Sequence, residues 1–82
     1  MGRRALADAD RSRTGQLVEA LEAARGQRQL SVNDLAVASG VHYETVRAVL
    51  GGRSAGPSFF IVADLARALE LSLDQLARQA RR

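Results

Sequence analysis

The sequence predicts an all-α domain, a compact set of five short helices in which the second and third form a helix-turn-helix. Three observations predict it. Apolar residues recur at three- and four-residue spacings, and no segment alternates with the period of two that a half-buried strand needs. The pairs Leu30 and Leu35, Val41 and Val46, and Leu71 and Leu76 flank a cap residue, one before it and one four after it. That is the hydrophobic staple, which sets the angle at which a chain joins a helix. Finally, residues 30–52 carry small and apolar side chains where two helices must cross around a tight turn.

Taken in order, residues 1–13 mix Arg, Asp and Ala without an apolar stripe. They are expected to form a flexible basic N-terminal arm or a frayed turn, leaving residues 14–82 as the domain. A first helix is expected over about residues 14–25, with Leu17, Val18, Leu21 and Ala24 on one face. Gly26 is a candidate stop, although residues 27–29 can carry a further turn. Ser31 caps the second helix, residues 31–39, and Asp34 three places on completes a capping-box-like pair. Ala36 is small, so the third helix can cross closely. Gly40 can take the positive φ of a sharp turn, and Val41 plugs that turn. The third helix spans residues 42–50, and Val46 and Val49 face its partner. Gly51 and Gly52 end it.

A loop over residues 53–57 holds Gly56 and the single Pro. Ser58 caps the fourth helix, which runs to about residue 69 with Ile61, Val62, Leu65, Ala66 and Leu69 inward. Phe59 and Phe60 open it. Adjacent helical residues point about 100° apart, so one ring is expected to enter the core and the other to stay outside. The fifth helix covers residues 73–78, with Leu73, Leu76, Ala77 and Ala80 apolar, and Ser72 with Gln75 as a second capping box.

Composition narrows the function. With 82 residues the chain makes one small domain, and three aromatic residues leave its core to Leu, Val, Ile and Ala. It has no Cys, which excludes disulfides and thiolate metal sites. A single His cannot complete a metal or catalytic site, so no catalytic residue, metal or cofactor is expected and an enzyme is a distant reading. No apolar run approaches the roughly 20 residues of a membrane span. No apolar segment follows Arg3 and Arg4, so a signal peptide is not expected and the cytoplasm is the simplest location. The net charge of +3 comes entirely from Arg among the bases. Because these arginines also occupy faces that should meet solvent, a codon bias explains them as well as phosphate binding does.

The third helix carries the chemistry. Opposite Val46 and Val49 it presents His42, Tyr43, Glu44, Arg47 and Ala48. A helix with a free polar face, braced at a fixed angle by a partner, suits the DNA major groove. Arg47 can fork onto guanine, and Glu44 can accept from cytosine N4 or simply complement the helix dipole. Tyr43 can meet a thymine methyl or a phosphate, and Ala48 lies on the same face; these four are the candidate base readers. Candidate phosphate contacts are Ser31, Asn33, His42, Thr45 and Arg53, with His42 also serving as a helix cap. Whichever of Phe59 and Phe60 is exposed is a candidate dimer contact.

The matching residues span Leu17 to Leu76, about three quarters of the chain, and include Leu30-Ser31, Leu35-Ala36, Gly40-Val41, Thr45-Val46, Gly52-Arg53, Pro57-Ser58, and the run from Leu65-Ala66-Arg67-Ala68-Leu69 to Leu71-Ser72-Leu73-Asp74-Gln75-Leu76. In this the chain resembles the Cro/C1-type, xenobiotic-response-element-like DNA-binding domains of phage repressors and bacterial regulators. The resemblance implies a lambda-repressor-like fold and a homodimer that sets two third helices in successive major grooves of a palindromic operator. The expected interface includes Phe59, Leu71 and Leu73. The chain departs from the family where Val32 replaces the usual Gln after the first cap, where Ala48 replaces a polar or basic residue, and where Glu44 brings a carboxylate toward DNA. The expected function is a sequence-specific transcriptional regulator, a repressor, with double-stranded DNA as partner. The competing expectation is an antitoxin or adaptor that uses the same fold to grip a protein such as a toxin.

Overall fold

The structure, a computed structural model, describes the backbone of residues 2–54 and 57–79 and the side chains from residue 12 onward. Five helices follow one another: α1 Gly2–Gln27, α2 Val32–Ser39, α3 Tyr43–Leu50, α4 Phe59–Ala68 and α5 Leu73–Gln79. The all-α, five-helix expectation holds, and the described residues contain no strand.

Each expected cap is made. The Ser31 hydroxyl accepts from the Asp34 N–H at 2.9 Å while the Asp34 carboxylate accepts from the Ser31 N–H at 3.0 Å. Ser72 and Gln75 reproduce this box at 3.0 Å in both directions. Ser58 accepts from the Ile61 N–H at 3.2 Å. The staple residues four places after the caps, Leu35, Val46 and Leu76, are buried, and Leu30, Val41 and Leu71 pack half-buried against the same core.

The first helix starts earlier than expected, and at its other end it takes the further turn that residues 27–29 allow. Its backbone is helical from Gly2 rather than from about residue 14. Residues 3–14 hold no Gly or Pro, and Ala and Arg are strong helix formers. Once the packed part of α1 is formed, each added residue extends the helix at little cost. The side chains of Arg3, Arg4 and Arg11 lie outside the described residues, as do Gly56, Ala80, Arg81 and Arg82; Arg13 is exposed. Gly26 is not the stop. The helix passes through it, and Gln29 takes the left-handed conformation at φ 57°. The bonds from Gln29 N–H to Gly26 O and from Leu30 N–H to Arg25 O close the end. This is a Schellman pattern built on a residue other than glycine. The Arg25 guanidinium, donating to Leu30 O at 2.6 Å, holds that turn. The same pattern ends α4 at Glu70, again at φ 57°.

The core is aliphatic. Leu21 and Ala24 of α1 meet Leu35 and Ala36 of α2, Val46 and Val49 of α3, Leu65, Ala66 and Leu69 from α4 and its cap, and Leu76 of α5. Each fully buried Leu or Val contributes about 1.5–3 kcal/mol relative to exposure. Leu17 and Ala20 extend the α1 stripe. Arg28 ties the chain across its length, donating from Nε to Leu69 O at 2.8 Å and pairing with Glu70 at 3.0 Å. On α5 only Leu76 is buried; Leu73 and Ala77 face solvent.

Candidate nucleic-acid interface

The turn between α2 and α3 sets the angle of the candidate reading helix. Gly40 caps α2 at φ 75°, ψ 9°, and its N–H donates to Ala36 O. Ser39, the one buried polar residue among those described, pins the turn from inside. Its hydroxyl donates to Ala36 O at 3.3 Å and accepts from the Val41 N–H at 3.2 Å. The signal for Ser39 in the sequence is a short hydroxyl residue directly before a turn glycine. Ala36 lies in the core beside this turn, 7% exposed.

His42 then caps α3, its Nδ1 accepting from the Glu44 N–H at 3.3 Å. An accepting Nδ1 leaves the proton on Nε2 in the neutral ring. Val46 and Val49 are buried. At about 100° per residue, Tyr43, Glu44, Arg47 and Ala48 fall on the other side of the helix. Tyr43, Glu44 and Arg47 are exposed there, while Ala48 and Thr45 are half-buried at its edges. Three of these side chains meet. The Arg47 guanidinium carbon stands 5.9 Å from the centroid of the Tyr43 ring, and Arg47 Nη1 lies 3.9 Å from a Glu44 carboxylate oxygen. The helix ends in a Schellman motif, with Gly52 at φ 72° and the bonds Gly52 N–H to Val49 O and Arg53 N–H to Ala48 O. This turn leaves Arg53 exposed immediately beyond α3.

The expected phosphate contacts at the start of α2 are less free than their residue types suggest. The Ser31 oxygen already accepts from the Asp34 N–H within the capping box, and its hydroxyl also favours the Asp34 carboxylate, so the side chain is committed within the helix terminus. The Asp34 carboxylate sits at the same helix terminus. Its hydrogen bonds from the Ser31 backbone and side chain hold it below the usual carboxylate range, hence negatively charged. Asn33 is exposed and Val32 packs half-buried on the core.

The aromatic expectation at α4 is corrected. Neither Phe enters the core: Phe59 is 63% and Phe60 76% exposed. The core-facing positions of α4 are filled by Ile61, Val62, Leu65 and Ala66, which leaves its first two residues outside. The rings contact each other edge to face at 5.6 Å. Val37 on α2 is a further exposed apolar residue, 77% accessible. Leu73 is exposed, whereas Leu71 is half-buried in its own staple.

No helix among the described residues is long and apolar enough to cross a membrane. In comparison with known proteins, a family model described as a helix-turn-helix domain matches residues 16–79, well over half of the chain. No curated protein matches, and no solved structure does.

Proposed function

The chain belongs to the helix-turn-helix domain family, and from that premise we propose that it is a sequence-specific transcriptional regulator of the Cro/C1 type that represses by occupying a promoter. One observation carries the reading. The third helix spends Val46 and Val49 on the core and keeps Tyr43, Glu44 and Arg47 exposed together on the other side. Such a helix enters a major groove without disturbing the fold. In this reading Tyr43, Glu44, Arg47 and Ala48 face base edges. His42, Thr45 and Arg53 flank them near phosphates, with Ser31 and Asn33 contributing from α2. Two copies joined through Phe59, Leu71 and Leu73 present paired reading helices to a palindromic operator.

The test is selection from a random double-stranded DNA library, followed by sequencing of the bound fraction. Enrichment of a two-fold symmetric site, with affinity that falls as salt rises, supports the proposal. Recovery of unbiased sequence at low salt removes it. The second reading, a module that grips a protein such as a toxin, is favoured by the exposed Phe59, Phe60 and Val37. It predicts weak, sequence-independent DNA binding alongside a stable complex with another protein.

A further inference from the structure

Arg47 is the only base within α3, and two neighbours reach it. The ring of Tyr43, one turn before, lies under the guanidinium at 5.9 Å. The carboxylate of Glu44, three residues before, stands 3.9 Å from Nη1. Both spacings put side chains on one helical stripe. We infer that Tyr43 and Glu44 are positioning residues that hold the Arg47 fork for the edge of a single guanine. This inference rests on the DNA-binding reading above and goes beyond it by giving the three residues unequal roles.

The physical argument concerns order and charge. A guanidinium recognises guanine through two parallel hydrogen bonds to O6 and N7, so its plane must be oriented as well as near. A free Arg side chain has many rotamers to lose on forming that pair. An aromatic face on one side and a carboxylate on another remove part of that freedom before DNA arrives. The arrangement stays open to a groove, since the Arg47 and Glu44 side chains are 49% and 66% exposed. The Glu44 carboxylate also repels the phosphates of every duplex alike. Its two effects therefore separate: repulsion lowers affinity for all DNA, while the hold on Arg47 matters only where a guanine accepts the fork. The Tyr43 ring acts through its face, so its hydroxyl is dispensable.

The experiment measures discrimination, the ratio of affinities for the selected duplex and for the same duplex with the guanine pair replaced. The replaced position is the one at which Arg47→Ala relaxes preference in the selection. The full chain should discriminate by about tenfold or more, and Arg47→Ala should abolish it. Glu44→Gln should bind arbitrary DNA severalfold more tightly yet discriminate about threefold less. Tyr43→Phe should behave as the parent, and Tyr43→Leu should lose about threefold in discrimination. In the Arg47→Ala background none of these changes should alter discrimination at any position. Far-ultraviolet circular dichroism melts confirm that each variant is folded.

If Glu44→Gln shifts preference at a different base pair and still does so without Arg47, Glu44 reads a base itself and the inference fails. If Tyr43→Phe loses as much as Tyr43→Leu, the hydroxyl makes a contact of its own and the ring has no positioning role. Selection with a clear preferred site that Arg47→Ala leaves intact overturns the inference alone. Selection by the parent chain that enriches no sequence overturns the DNA reading before any variant is made.

Discussion

Gly40 holds the α2–α3 turn at φ 75°, and nothing lies within 4 Å of where a Cβ would stand. A Cβ there is resisted by backbone conformation and not by collision. Gly40→Val is expected to cost about 1–3 kcal/mol, because a β-branched residue in the left-handed region is strained. For a domain of this size each kcal/mol lowers the melting temperature by about 4–8 °C, which a thermal circular dichroism melt reads directly. A variant that melts like the parent would show that the turn does not need positive φ. Asp34 makes a second expectation, in pH. Its folded value lies below the ordinary 3.8 because the Ser31 N–H and hydroxyl favour the charged form. A lowered folded value means that the contribution is fully present above 3.8 and is lost as pH falls through the lowered value. Acid titration followed by circular dichroism should therefore show a steeper loss of stability below pH 3.8 in the parent than in Asp34→Asn.

Two helices end on residues that conformational preference disfavours. Gln29 and Glu70 both sit at φ 57°, where a residue with a Cβ costs roughly 1 kcal/mol or more relative to glycine. They differ in what their side chains do. Glu70 pairs with Arg28, just beyond α1, at 3.0 Å, while the turn at Gln29 is held by Arg25 through Leu30 O. Gln29→Gly is therefore expected to stabilise the domain by about 0.5–1 kcal/mol, raising the melting temperature by several degrees. Glu70→Gly should gain less, since it also removes the Arg28 pair. Equal gains from both substitutions would mean that this surface pair contributes nothing, as many exposed ion pairs do. The stop at Gln29 is legible in the sequence only as an alternative, because Gly26 is a candidate terminator as well. A glycine inside a helix is a modest cost, and the turn at Gln29 lets Leu30 pack on the core.

At the scale of the molecule, the exposed Phe59 and Phe60 rings and Leu73 bear on assembly. If the dimer of the proposed function forms through this region, Phe59→Ser should shift the sedimenting species toward monomer at micromolar concentration. The fold itself should survive, because Phe59 buries little within its own chain. An unchanged sedimentation coefficient for a dimeric parent would move the interface elsewhere. The N-terminal segment gives a second expectation. Removing residues 1–12 deletes Arg3, Arg4 and Arg11. It should flatten the slope of log affinity against log salt by roughly one to two units, at about 0.9 per phosphate contact, and leave the selected site unchanged. Identical slopes would leave DNA contact to α2 and α3 alone.

The sequence by itself determined the five helices, their caps and the turn. Capping boxes, staples and the Gly40 turn depend on residues within five positions of one another, so local chemistry decides them. Sequence determined the buried stripe of α3 for the same reason, because Val46 and Val49 repeat at the helical period. Tertiary packing decided the rest. The filling of the core by Leu65, Ala66, Leu69 and Ile61 left both Phe rings outside. α1 runs past Gly26, and Leu30 beyond it packs on the core. The burial of Ser39 depends on which side of α2 its neighbours cover. That is a property of the assembled helices, since a residue's exposure is set by partners far away in sequence.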